Sequence, residues 1–118
     1  MKLIENLSAQ PNQITHVLLD DGSFVQIGLT YRPAIQRWQI DIVHPNLTMY
    51  GKTLSNHPNI LRQFRNTAGF GLACILNDGT EPNTVNDFDS GRAQLYILNT
   101  ADIAAIETDV FGMTGVLI

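Results

Sequence analysis

The sequence contains one cysteine, few charged residues and no long apolar run. Cys74 has no second cysteine with which to pair, so the disulfide framework typical of small secreted domains is excluded. No apolar stretch approaches the roughly 20 residues that a membrane-spanning helix requires. The N-terminal residues also lack the apolar core of a signal peptide. We therefore expect no membrane association and a protein made in a reducing cytoplasm.

Charge is scarce as well. Charged side chains make up 15% of the 118 residues, whereas a typical globular protein has about 25%. The formal net charge is −4 and the basic residues are dispersed, with Arg62 and Arg65 as the one local pair. Proteins that bind nucleic acid normally present a basic patch, so direct binding to nucleic acid is not expected. The low charge also suggests that other protein covers part of the surface.

The strongest positive signal is a pair of alternating runs within residues 14–43. In the first run the apolar residues at every second position are Val25, Ile27, Leu29 and Tyr31. In the second run they are Trp38, Ile40 and Ile42. Successive side chains of a strand point to opposite faces, so each run predicts a strand with one apolar face. The Asp21-Gly22 pair before the first run is a strong hairpin signal, because glycine tolerates the positive φ of a tight turn.

Two further segments favour helices. Around 57–66 apolar residues recur at helical spacing, with Asn56 as the expected N-cap and Pro58 in the first turn. Residues 101–107 fit a second short helix capped by Thr100.

The expected fold is mainly β, either a small antiparallel β-barrel or a strongly bent sheet, with one or two short helices. We expect residues 1–118 to form a single domain. Within it, 1–100 would be the β domain and 101–118 a C-terminal helix followed by an apolar tail.

Reactive residues do not form a recognisable constellation. Cys74 lies in an apolar alternation, where a buried and inert thiol is the usual outcome. The three histidines (His16, His44 and His57) match no metal-ligand spacing. Gly69-Phe70-Gly71 begins like a dinucleotide fingerprint but leads into a strand and lacks the third glycine. No Ser-His-Asp set has a nucleophile-elbow context. The sequence therefore predicts no catalytic residue, no cofactor and no metal ligand, and a small hydrolase ranks last among the readings.

One loop keeps an alternative open. Asp87, Asp89 and Gly91 form a fragment of a calcium loop near Asp78, without the remaining ligands. The alternative function is accordingly a stand-alone small-molecule or metal-binding β-barrel with its site in residues 78–91. Asp and Asn residues are also simply good turn formers.

The end of the sequence is apolar. Its candidate interface residues are Val110, Phe111, Met113, Val116, Leu117 and Ile118. Chain termini are usually polar and frayed, so these residues require burial. They form either a clasp on their own domain or an arm that docks on a neighbouring subunit, for instance as an added strand.

The order and spacing of several segments resemble the baseplate plug family of bacteriophage tail proteins. The resemblance covers residues 1–98 and leaves 101–118 unmatched. The segments that carry it are Met1-Lys2-Leu3-Ile4, Leu18-Leu19-Asp20-Asp21-Gly22-Ser23-Phe24-Val25-Gln26-Ile27-Gly28-Leu29, Arg37-Trp38-Gln39-Ile40-Asp41-Ile42, Asn59-Ile60-Leu61-Arg62-Gln63-Phe64, Gly69-Phe70-Gly71-Leu72-Ala73 and Ala93-Gln94-Leu95-Tyr96-Ile97-Leu98.

The resemblance implies a structural virion component without catalytic residues. Such a protein would be assembled in the host cytoplasm and located in the tail baseplate, where it closes the channel of the tube and hub before ejection. Its partners would be other baseplate, hub and tube proteins. We expect a homo-oligomer with trimeric or hexameric symmetry, because low-charge strand edges and apolar arms suit symmetric assembly.

Overall fold

The computed structural model describes residues 2–5, 7–65 and 67–109, which form two antiparallel sheets and one α-helix. The strands, in chain order, are β1 (Lys2–Leu3), β2 (Asn12–Leu18), β3 (Phe24–Arg32), β4 (Arg37–His44), β5 (Leu47–Thr53), β6 (Gly71–Leu76) and β7 (Ala93–Leu98). A 3₁₀ turn spans Arg62–Phe64, and helix α1 spans Thr100–Asp109.

The larger sheet is a meander with the order β2-β3-β4-β5. Val17 lies opposite Val25, and Ile27 lies opposite Ile42, so the alternating apolar side chains of neighbouring strands share one face. The register shifts once, between Ile40 and Ile42 where β4 meets β5. The predicted hairpin is confirmed, since the chain turns at Gly22 with a φ of 88°.

The smaller sheet has the order β1-β7-β6. Its inner face carries Cys74 opposite Leu95 and Leu72 opposite Ile97. The main core lies between the two sheets and includes Leu54, Leu61 and Phe88 from the connecting segments. Burial of apolar surface at about 25 cal/mol per Å² is the main term that holds the sheets together.

Trp38 is the largest fully buried side chain. Its ring lies 5.4 Å from that of Tyr31 and 5.2 Å from that of Phe88. The indole Nε1 donates to the carbonyl of Thr84 at 2.9 Å, and the Tyr31 hydroxyl donates to the carbonyl of Asn83 at 2.9 Å. These contacts fasten the loop between β6 and β7 to the larger sheet.

Helix α1 covers the opposite face of the smaller sheet. Ile103 packs with Ala73 and Leu98 in a second, separate apolar cluster. The helix begins at a reciprocal cap, in which Asn99 Oδ1 accepts from the Asp102 amide at 2.8 Å and the Asn99 amide donates to Asp102 Oδ2 at 3.1 Å. The predicted helix at 101–107 is therefore confirmed, but Asn99 caps it instead of Thr100.

The mainly β fold class is confirmed, and among the described residues the two sheets are not joined into a closed barrel. The helix expected at 57–66 is shorter than predicted, because only Arg62–Phe64 forms a 3₁₀ turn. Asn56 caps no helix there; its Oδ1 accepts from the amide of Leu76 at 3.4 Å. Within the described part of the chain, no helix has the length and apolar character to span a membrane. The division into a β domain and a C-terminal helix and tail stays a prediction.

Candidate assembly surface

The outer face of the larger sheet carries exposed apolar side chains. Leu18 and Phe24 lie directly opposite each other on β2 and β3, and Ile14 lies opposite Gly28 four pairs further along. The exposed fractions are 66% for Ile14, 48% for Leu18, 61% for Phe24 and 70% for Tyr50. The polar side chains of His16 and Gln26, 3.3 Å apart, lie between Ile14 and Leu18 on this face. Large exposed apolar side chains gathered on one face of a sheet commonly mark a contact with another protein. We call the face formed by Ile14, Leu18, Phe24 and Tyr50 the outer apolar face.

A shallow depression of about 400 Å³ lies in the outer apolar face. Ile14 and Tyr50 line it together with Gly28, which has no side chain to fill it. The nearest carboxylate is that of Asp41, whose Oδ1 accepts from the Gly51 amide at 2.6 Å. Gln26 and Thr30 also line the depression, which therefore presents mixed apolar and polar surface with one anchored carboxylate.

The free edge of β2 borders this face. The amide of Tyr31 donates to the carbonyl of Pro11 at 2.7 Å, and the amide of Leu19 donates to that of Ser23 at 2.8 Å. In an antiparallel edge strand, every second residue directs its backbone N–H and C=O groups to the neighbouring strand. The two bonds show that in β2 these are the odd-numbered residues, whose backbone groups point to β3. Those of the even-numbered residues point away from the sheet, and among the described residues none pairs with them. They are Asn12, Ile14, His16 and Leu18.

The only cysteine is placed for packing and not for chemistry. Cys74 is 0% exposed and belongs to the main core. Burial, together with the nearby carboxylates of Glu81 and Asp87, raises the pKa of the thiol to about 12. At neutral pH the thiol is therefore protonated and shielded from solvent. The thiolate is the reactive form of cysteine, so Cys74 is unreactive here.

The structure does bring one serine, histidine and aspartate together, but in the wrong order for nucleophilic catalysis. Ser23 Oγ donates to Asp21 Oδ1 at 2.6 Å and lies 3.0 Å from His44 Nε2. His44 Nδ1 accepts the amide proton of Asn46 at 3.1 Å, so a neutral ring carries its own proton on Nε2 and donates it to Ser23. A nucleophilic serine needs an imidazole that accepts its proton. The donations from Ser23 instead hold the pKa of Asp21 below its usual value.

Arg92 holds the loop between β6 and β7 together. It reaches Asp87 Oδ1 through Nη1 at 2.7 Å and Asp78 Oδ2 through Nε at 2.9 Å. Hydrogen bonds, first from Thr80 and then from Arg92, lower the pKa of Asp78 to about 2.

Asp87 is the buried member of this cluster, with 1% of its surface exposed. Its Oδ2 accepts from the amides of Asn83 at 2.7 Å and Thr84 at 2.9 Å, and its Oδ1 accepts from the Thr84 hydroxyl at 2.5 Å. Burial disfavours the charged form, but the donors from Thr84, Arg92 and Asn83 outweigh it and lower the pKa. The calcium-loop fragment seen in the sequence is thus engaged by donors of the protein itself. In the described ranges no group of three or more His, Cys, Asp or Glu side chains is placed to hold a metal.

The remaining sequence-based candidates lie elsewhere. His16 is exposed on β2 and His57 lies beside β6, so with His44 near the Asp21–Ser23 turn the three histidines are spread over separate elements. The predicted interface residues Val110, Phe111, Met113, Val116, Leu117 and Ile118 lie outside the described residues. The outer apolar face was not predicted, although Ile14 and Leu18 stand out in the sequence as apolar residues out of phase with Val17.

The fold and the surface together define a class of protein: a small two-sheet β protein with exposed apolar side chains on one sheet face and an open strand edge. A family model described as "Cyanophage baseplate Pam3 plug gp18" matches residues 1–100. The chain belongs to this family of phage baseplate plug proteins. No curated protein matches it. The match confirms the resemblance seen in the sequence, and residues 101–118 lie beyond it.

Proposed function

We propose that the protein is a non-enzymatic plug that closes the channel of the tail tube and hub before ejection. The observation that carries this proposal is the family match over residues 1–100. It is supported by the outer apolar face and by the scarcity of charge, because a protein that is covered on several sides needs few solvated groups.

The plug would act as a homo-oligomer with trimeric or hexameric symmetry that contacts hub and tube proteins in the baseplate of the virion. Residues 110–118 serve as an arm between subunits in this proposal, and the outer apolar face contacts the hub. This face is suited to a contact of high binding energy, since Tyr50 and Phe24 expose aromatic rings on it.

Binding of the purified chain to reconstituted hub and tube proteins tests the proposal. Phe24→Asp is expected to weaken binding by about tenfold or more, because it places a charge in an apolar contact. Ile35→Asp is the matched control, since Ile35 is similarly exposed, at 55%, but lies in the turn between β3 and β4.

Electron microscopy of intact virions supplies the decisive readout. Density for the protein inside the channel supports the plug. Density confined to the outside of the baseplate would contradict the plug. Equal binding by the Phe24→Asp and Ile35→Asp variants would contradict the hub contact through the outer apolar face.

A further inference from the structure

Three of the four sheet edges are protected against pairing with another chain. The edge at β5 carries a register shift, a glycine with a φ of 70° at Gly51, and Lys52. The edge at β1 is only two residues long. The edge at β6 is covered by its own chain, since His57 and Cys74 exchange backbone hydrogen bonds at 2.8 and 3.0 Å. Bulges, lysines, short strands and covering segments are the devices by which proteins blunt sheet edges.

The edge at β2 has none of these devices. β2 is seven residues long, pairs with β3 without a register shift, and contains neither proline nor a charged side chain. The even-numbered residues from Asn12 to Leu18 present four amides and four carbonyls to the outside. An uncharged, regular edge of this kind is a template for one more strand.

The side chains beside this edge show what kind of strand fits. Ile14 and Leu18 project on the outer face, and Val17 projects into the core. A strand added at β2 would place its side chains next to these, so an apolar and uncharged strand is favoured. A charged strand would have to desolvate its charges against Ile14 and Leu18.

We propose that the strand added to β2 is residues 110–118 of a neighbouring copy of this chain. This inference rests on the proposed assembly and names the contact that would make it. The segment has no charged residue and no proline, and its nine residues are enough to pair along the seven residues of β2. Segment and edge are therefore compatible in charge, polarity and length.

The geometry of α1 favours a neighbouring copy over the same chain. The helix starts near the end of β2, because Asn99 Nδ2 donates to Asp20 Oδ2 at 3.2 Å. It ends near the 3₁₀ turn, where Glu107 pairs with Arg62 at 2.7 Å and Arg65 at 3.2 Å. The ten helical residues span about 15 Å between these two contacts.

The chain therefore leaves α1 beside the 3₁₀ turn and not beside the edge of β2. The β2 edge of a second copy is not tied to that position. Each copy would then give one segment and accept another, which is a head-to-tail contact that closes into a ring when the rotation allows it.

Two single variants and their mixture test this arrangement. His16→Pro removes an outward amide from the edge without touching the bonds to β3, since proline is tolerated where the N–H faces solvent. Val116→Asp places a charge in the donated segment. By light scattering, each variant alone is expected to assemble about tenfold or more weakly than wild type, while an equal mixture forms a 1:1 pair from one intact edge and one intact segment.

Two controls keep this test interpretable. Thr53→Pro makes the same kind of change on the β5 edge. The amide of the next residue, Leu54, donates to the Trp38 carbonyl, so the amide of Thr53 points outward. This variant is expected to assemble normally. Ile14→Lys is the second edge variant if His16→Pro fails to fold, because it leaves the backbone unchanged. Assembly that Val116→Asp does not weaken would overturn the proposal and point to a second β2 or to another baseplate protein at this edge.

Amide hydrogen exchange of the full chain adds a residue-level readout. The amides of Ile14, His16 and Leu18 are expected to slow by about tenfold or more when the protein assembles, whereas those of Thr15 and Val17 are slow throughout. Fast exchange at Ile14 and His16 in an assembled protein, or a protein that stays monomeric at all concentrations, would overturn the proposal. Hub binding by such a monomer would leave the plug function standing, so the two failures are distinguishable.

Discussion

The carboxamide of Asn59 lies directly against the backbone of Gly71. A Cβ atom at position 71 would be 2.9 Å from Asn59 Oδ1 and 3.0 Å from Leu98 Cδ1. Asn59 is 1% exposed, and its Oδ1 accepts from the amides of Leu61 at 3.1 Å and Leu72 at 3.3 Å. The carboxamide is thus fixed from two sides, and it holds the segment before the 3₁₀ turn on the edge of β6.

Gly71→Ala is expected to lower the free energy of unfolding by about 1–3 kcal/mol, since the new methyl group displaces a fixed carboxamide. Urea unfolding followed by circular dichroism measures the change. Gly28→Ala is the matched control on a β-strand, because its Cβ would meet Asp41 at 3.5 Å, an ordinary contact distance. Equal stability of the two variants would show that Asn59 can move away.

Asp87→Asn is expected to lower the free energy of unfolding by about 2–3 kcal/mol, because it leaves the Arg92 guanidinium without its buried partner. The pKa of Asp87 is lowered in the folded state. Its contribution to stability is therefore present above the ordinary carboxyl pKa of about 4 and is lost as the pH falls through the folded value.

Thermal unfolding at pH 7 and at pH 3 tests whether the contribution of Asp87 to stability falls on acidification. The stability that wild type loses on acidification should exceed the loss in Asp87→Asn. Asp89→Asn serves as the control, since Asp89 is exposed in the same loop. If Asp87→Asn and wild type lose the same stability between the two pH values, the ionised Asp87 is not what holds the loop.

Cys74 is expected to resist thiol reagents in the folded protein. With a pKa of about 12, the thiol stays protonated even at pH 9, and its burial denies access to the reagent. Reaction with Ellman's reagent should be slow without denaturant and complete in urea. Rapid reaction of the folded protein at neutral pH would contradict the position of Cys74 in the core.

Trp38→Phe is expected to lower the free energy of unfolding by about 1–3 kcal/mol, since it removes the donor to the partly buried Thr84 carbonyl and reduces the packing on Phe88. Chemical unfolding followed by circular dichroism measures the loss. Tyr50→Phe is the control, because Tyr50 is 70% exposed and should change stability by less than about 0.5 kcal/mol. A Trp38→Phe variant as stable as this control would show that the loop is held by other contacts.

The parts of the fold that could be predicted depend on local pattern. The strands around Ile27 and Ile40 follow from alternation, and α1 follows from the apolar and small residues at 101–107. The segment around Ile60 has helical spacing as well, but it pairs with β6 through a hydrogen bond from the Ile60 amide to the Leu72 carbonyl at 2.7 Å. A long-range contact overrides local propensity there, and spacing alone does not contain that information.

The candidate surface was less accessible to prediction. Both faces of β2 carry apolar residues, since Ile14 and Leu18 project one way and Val17 the other. Which face is covered depends on where the smaller sheet packs, and that is decided by strands more than 50 residues away along the chain. Asp87 was noticed as a ligand candidate, but the donors that engage it, including the guanidinium of Arg92, become evident only when the loop is folded.

The boundary between the sheets and α1 has a consequence for a chain shortened at this point. The family match ends at residue 100, and α1 begins at Thr100. The helix also packs in its own small cluster, with Ile103 against Ala73 and Leu98, separate from the main core. Loss of α1 would therefore bare the side chains of Ala73 and Leu98 and remove the Glu107 carboxylate from Arg62 and Arg65, while the main core between the sheets would keep its own contacts. The two-sheet body and its C-terminal cover are separable in packing.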